Sequence, residues 1–213
     1  MSNKKILLIG NGPSALGKKR GERIDSDEFD KVVRFNRWNF NINGKKHKKD
    51  FSEYIGSRCD YWVINDNLFT KWAIQDKDKN KYHKMAQFYE KVLVFYPKFK
   101  FNIDLAHTID NSTQYTNTSC IWPHDAEDII NQIVDFKPKW PTTGIAAISW
   151  ALCRFEEVYI CGFDSYDLKY ESKRYFEDVE NKLTEGSIDH TSLLEKQYIK
   201  SGLKYLNRLK RLI

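Results

Sequence analysis

No stretch of this 213-residue chain approaches the ~20 consecutive apolar residues that cross a bilayer. The first apolar run, Ile6 to Ile9, is four residues long and follows a polar start. That length suits a strand and falls short of a secretory signal's apolar region. Cysteine is scarce. Cys59, Cys120, Cys153 and Cys161 show no CxxC spacing, so they read as reduced thiols. No His/Cys cluster argues for zinc. No RRM, KH or helix-turn-helix pattern is present, so nucleic acid is not an expected partner. These absences together describe a cytoplasmic protein, at most peripheral to an inner membrane.

What is present is a foldable α/β pattern. Hydrophobic residues make up 41% of the chain, enough for one cored domain over residues 1–213 and short for two. Aromatics reach 15%, a count that suits sugar stacking and core filling alike. Lys and Arg exceed Asp and Glu by 35 − 29 = 6, which favours anionic partners such as nucleotides or an anionic membrane surface. Strands are expected at 5–9, 30–35, 59–64, 92–96 and 157–162, and helices at 82–91, 125–136 and 145–153. Strands alternating with helices indicate a single Rossmann-like α/β domain with a mainly parallel sheet flanked by helices. Residues 99–123 are poorly patterned and read as a lid-like insertion. The last helix is expected from 192 to 212. On it Leu203, Leu206, Leu209 and Ile213 would share one face beside Lys and Arg, fit for the domain itself, a second subunit or an anionic membrane surface.

Chemistry-bearing residues gather at strand ends. Gly10-Asn11-Gly12-Pro13-Ser14 follows the first strand. Its glycines permit close backbone approach and its amides suit phosphate, or it is an ordinary tight turn. It lacks the third glycine of GxGxxG and the Gly-Lys-Ser/Thr of a Walker loop. Asn36 and Asn65 follow two further strands, at the edge where open α/β sheets bind ligands. Their amides can serve cytosine, ribose or phosphate, although each also suits a turn. Thr142, Thr143 and Gly144 open a helix, as an anion site for a substrate carboxylate or as plain N-capping. His190 precedes the final helix and can act as a general base near neutral pH, or be structural. Glu195, five residues on, reads as structural. Two DxD pairs, Asp25/Asp27 and Asp76/Asp78, lie in charged contexts away from strand ends, so no metal site is expected.

Four blocks then resemble, in order, those of CMP-sialic-acid sialyltransferases: Ile-Gly-Asn-Gly-Pro-Ser (9–14), Val-Val-Arg-Phe-Asn-Arg (32–37), Pro-Thr-Thr-Gly (141–144) running to Gly162-Phe163, and His-x4-Glu (190–195). The small bacterial members of the family are the most similar in size and wording. Arg174-Tyr175-Phe176-Glu177 resembles a further block, with Arg174 where the family usually has His or Tyr. The resemblance implies a modified, metal-independent GT-A fold and an inverting transfer without cofactor. It implies that Asn11, Asn36 and Asn65 hold CMP, that Ser14, Thr142, Thr143 and Gly144 line the donor, and that His190 is the base. Partners would be a CMP-sugar donor and a saccharide or glycolipid acceptor. Tyr166 and Tyr175, with Arg174, are the expected contacts to the leaving phosphate. The family's phosphate-contacting arginine ahead of the Thr-Thr-Gly turn is replaced by Lys139-Trp140. CMP-Kdo is the alternative donor, and a nucleotide-binding module without chemistry the alternative role.

Overall fold

Short apolar runs opening on one polar residue become strands buried on both faces, as parallel strands under helices must be. They are Lys5–Ile9 (β1), Lys31–Phe35 (β2), Tyr61–Asn65 (β3), Lys91–Phe95 (β4) and Glu157–Cys161 (β6). All five lie within two residues of expectation. The computed structural model describes residues 4–38, 49–75, 80–95, 106, 107, 109, 115–121, 124–134, 141–164 and 190–213. Thr118–Ile121 (β5) and Leu209–Arg211 (β7) complete a seven-stranded sheet among these residues, in the order β5-β4-β3-β2-β1-β6-β7. Every pairing is parallel.

The period-2 alternation of the strands divides the core. Ile6, Leu8, Val33, Phe35, Val63, Leu93, Val158 and Ile160 meet His124–Ile133 (α5), Thr143–Arg154 (α6) and His190–Tyr205 (α7) on one face. Ile145 to Leu152 are all buried, so α6 is the central helix of that layer. Tyr198 of α7 is fully buried and its hydroxyl meets Ser149 Oγ of α6 at 2.7 Å. The other face carries Gly21–Asp25 (α1) and Ser52–Ile55 (α2) under β1 and β2. Asp66–Phe69 (α3), a π-helical turn at Thr70–Gln75 and Asn80–Ala86 (α4) lie under β3 and β4.

Three expectations are corrected. The final helix stops at Tyr205, and residues 209–211 are a strand beside β6. Leu209, placed by its spacing on the helical face, is instead a buried strand residue, and Leu212 just beyond it is buried too. Leu206 takes a turn bond from Leu209, and Leu203 and Leu206 pack on the domain's own core. The four-residue helical face offered to a membrane or second subunit therefore does not form, and Ile213 alone of it is exposed. Second, residues 118–121 of the expected insertion are the edge strand β5, while most of its remainder lies outside the described residues. Third, the helix at 82–91 ends at Ala86, because Asn117 donates to the carbonyls of Ala86 and Tyr89 at 2.8 and 3.0 Å. No helix among the described residues is long and apolar enough to cross a membrane.

Candidate active site

β1 sits between β2 and β6; the chain runs outward from it through β2 to β5 on one side and then crosses back to β6 and β7 on the other. The carboxyl ends of β1 and β6 thus flank the topological switch point, where such sheets open a crevice for ligands. The loops beyond both strands are joined bond by bond. Gly10 N donates to Cys161 O at 2.8 Å and Gly12 N to Gly162 O at 2.9 Å. Ser14 N donates to Asp164 Oδ2 at 2.8 Å, and Ser14 Oγ donates to Asp164 Oδ1. The close approach made by the glycines is therefore to the β6 loop. A Cβ on Gly10 would lie 2.9 Å from the Gly162 carbonyl carbon, and one on Gly12 2.7 Å from the Gly162 oxygen. The Ser14 hydroxyl, expected to line the donor, gives its proton to Asp164 and so holds the loop.

The three strand-end asparagines form one connected row. Asn11 Nδ2 donates to Phe35 O at 3.0 Å, and its Oδ1 is buried with no hydrogen-bond partner among the described residues. Asn36 is the single described non-glycine residue with positive φ, at 49°. Its N–H donates to Val63 O at 2.8 Å, its carbonyl accepts from Trp62 Nε1 at 2.8 Å, and its Oδ1 accepts from Asn65 N at 3.0 Å. Asn65 caps α3, its Oδ1 accepting from Leu68 N at 2.9 Å. The oxygens of Asn36 and Asn65 are thus spent on backbone amides, which also fixes the orientation of each side-chain amide. Among the described residues, Nδ2 of Asn36, Nδ2 of Asn65 and the buried Oδ1 of Asn11 are left without a hydrogen bond.

Phe163 joins this row to the start of α6. Its ring meets Phe35 edge-on at 5.6 Å, and a Cβ on Gly144 would come within 2.9 Å of it. Thr142 occupies the N-cap position of α6 in extended conformation, yet its side chain makes no capping bond and no acid stands in the first turn. The first amides of this 12-residue helix and the hydroxyls of Thr142 and Thr143 thus stand, among the described residues, without a side-chain cap, at a helix end whose dipole favours an anion. Plain N-capping does not account for the Thr-Thr-Gly turn. Thr142 N is the exception, donating to Glu195 Oε1 at 2.7 Å. Glu195 is 4% exposed and ties α7 to the start of α6, a structural role.

His190 is the first residue of α7. Its side chain, and Tyr166, Arg174, Tyr175, Lys139 and Trp140, lie outside the described residues. Burial pushes the Cys161 thiol up, against the opposing charge of Arg20, which favours the neutral thiol over the thiolate. A cavity of ≈ 120 Å³ beside the same loops is lined by Ser14, Arg20, Cys161, Gly162, Phe163 and Arg211, and its two guanidiniums favour anions. Asp25 of the first DxD pair accepts from Ser57 N, Ser57 Oγ and Arg58 N at 2.8–2.9 Å, which makes it a loop anchor. Asp76 and Asp78 lie outside the described residues. Phe163 belongs to the block that ends at Gly162-Phe163, whereas Asp164 and Trp62 have no sequence signal beyond the place of Asp164 just after that block.

Residues 3–203 match the model of glycosyltransferase family 29 (sialyltransferase). No curated protein sequence matches the chain significantly. Among solved structures, the chain resembles the sialyltransferase CST-II in complex with a trisaccharide acceptor and CMP, at 20% identity and a TM-score of 0.61, covering 98% of this chain and 81% of that one. CstII from Campylobacter jejuni in complex with CMP-3FNeuAc gives 19% identity and a TM-score of 0.59 over the same shares. A mammalian sialyltransferase gives 16% identity and a TM-score of 0.62, covering 100% of this chain and 70% of that one. The fold is shared with these enzymes, the family model spans nearly the whole chain, and the protein therefore belongs to glycosyltransferase family 29, the sialyltransferases.

Proposed function

We propose that this enzyme transfers sialic acid from CMP-sialic acid to a saccharide hydroxyl, by a metal-independent displacement that inverts the anomeric centre. The observation that carries the reading is the polarity of the unspent groups. Asn11 keeps a buried, unpartnered acceptor, Asn36 and Asn65 keep donors, and the start of α6 has amides and hydroxyls. A CMP-sugar with an acidic sugar needs this set: ribose hydroxyls or a cytosine amino group to donate, phosphate oxygens to accept, and a carboxylate for a helix N-terminus. Neighbours in the same fold have been solved with CMP and with CMP-3FNeuAc.

The proposed step is one displacement. The acceptor oxygen attacks the anomeric carbon while His190 takes its proton. The bond from that carbon to the phosphate oxygen breaks, its electron pair leaving with CMP. The departing phosphate gains charge, and donors fixed in advance stabilise it without a metal. Asn36 and Asn65 are such donors, and Tyr166, Tyr175 and Arg174 are assigned to the same task. His190 is favoured as the base by the Glu195–Thr142 bond: five helical residues rise ~7.5 Å, so α7 begins close to the start of α6.

The test is release of CMP from CMP-sialic acid and from CMP-Kdo in EDTA, with and without a galactoside acceptor, with the product anomer read by NMR. The expected result is faster release from CMP-sialic acid and a product of opposite anomeric configuration. No turnover of either donor, with or without divalent ions, refutes the proposal.

A further inference from the structure

We propose that Trp62 is a positioning residue of the donor site, whose indole N–H sets the direction in which Asn36 presents its amide. The inference rests on the nucleotide reading above. Asn36 has φ 49°, a left-handed conformation that Asn tolerates better than most residues but that must be held. Three bonds hold it. Two come from β3 backbone groups, Val63 O and Asn65 N. The third, to the Asn36 carbonyl, comes from a side chain, Trp62 Nε1 at 2.8 Å.

Trp62 is fully buried, so its donor is screened from water and rigidly placed. Its ring lies 5.2 Å from Tyr89 and is stacked 6.4 Å from Tyr82, and these neighbours fix the plane of the indole. With carbonyl and Oδ1 both engaged, Nδ2 is the polar group of the Asn36 side chain left for a ligand, at the carboxyl end of β2 between β1 and β3. A core position on β3 needs only an apolar side chain of this size. The N–H aimed at the Asn36 carbonyl adds a function that packing does not require. Without it, the 36 peptide is free to relax toward negative φ and swing the amide off line.

The experiment is a mutant cycle read by calorimetric CMP affinity and by kcat and KM for CMP-sialic acid. Trp62→Phe keeps a ring and removes the N–H. Asn36→Gly keeps the positive φ and removes the amide. Loss of one neutral hydrogen bond predicts a roughly three- to tenfold weaker CMP affinity and a matching rise in KM for Trp62→Phe. Since nothing is left to aim, adding Trp62→Phe to Asn36→Gly should change affinity no further. An unchanged affinity in Trp62→Phe overturns the proposal. So does equal weakening in both backgrounds, which is the signature of core packing alone. Should Trp62→Phe fail to fold, 3-benzothienylalanine at position 62 keeps the indole shape, lacks the N–H and takes its place in the cycle. Absence of CMP binding by the wild-type protein is seen before any variant is made; it refutes the nucleotide reading and takes this inference with it.

Discussion

Replacing Gly10 by Ala tests the joint on which the whole site rests. Its Cβ would stand 2.9 Å from the Gly162 carbonyl carbon and 3.3 Å from Phe163 Cδ2, with the Gly162 oxygen nearer still. Ordinary contact begins at 3.4 Å, so the β6 loop must retreat by at least 3.4 − 2.9 = 0.5 Å, and more for the oxygen. The obstacle is backbone and has no rotamer to change. Retreat stretches the bonds from Gly10 N to Cys161 O and from Gly12 N to Gly162 O, now 2.8 and 2.9 Å. At about 0.5–1.5 kcal/mol each these contribute about 1–3 kcal/mol. Overpacking strain adds about 1–3 kcal/mol. The sum, roughly 2–6 kcal/mol, corresponds to a Tm lower by roughly 5–20 °C for a chain of this length. Asn11 stands between the two bonds, so CMP affinity should fall as well. Gly17→Ala is the control: its nearest new neighbour is Ser14 O at 3.3 Å and its φ is −65°, so its Tm should change by less than about 3 °C. Thermal unfolding by circular dichroism and calorimetry with CMP read both variants. A Gly10→Ala protein with wild-type Tm and affinity refutes the reasoning.

Asn65→Asp keeps the cap on α3, so thermal unfolding should stay within about 0.5 kcal/mol of wild type. It turns an outward donor into a negative acceptor, and calorimetry should show CMP affinity lower by at least roughly tenfold. His190→Ala should lower kcat by ~10²–10⁴-fold and leave CMP affinity near wild type. The wild-type rate should fall on acidification as a histidine base is protonated, and that limb should vanish in the variant's pH–rate profile. Glu195→Ala removes a charge-assisted bond to Thr142 N and should cost about 1.5–3 kcal/mol in chemical denaturation, with a raised KM for the donor.

How much of this was legible in the sequence follows from how local each signal is. Short apolar runs and a Thr-Thr-Gly helix start are local, because period and turn chemistry act over a few residues. They placed five of the seven strands, the α6 start and the three asparagines at strand ends. The family blocks are also linear patterns, and they named the enzyme class correctly. Thr118–Ile121 was not legible as a strand, since Ser and Thr hide a four-residue pattern that gains its stability from the neighbouring β4. The chain's end failed for a similar reason. Leu203, Leu206 and Leu209 fit a helical spacing, but an edge at β6 was open to pair, and 209–211 took it.

Sequence alone determined that the chain is an α/β glycosyltransferase of the sialyltransferase type and which polar residues stand at the carboxyl ends of its strands. Tertiary structure decided what each group is free to do. The Ser14 hydroxyl is spent on Asp164, 150 residues away, and the Thr142 amide on Glu195, 53 residues away. Asn36 and Asn65 each engage Oδ1 with a backbone amide, whereas Asn11 engages Nδ2 with the Phe35 carbonyl and leaves its buried Oδ1 unpartnered among the described residues. A side chain's type sets which bonds it is able to make. Which bonds it has left for a substrate depends on partners that only folding brings within 3 Å.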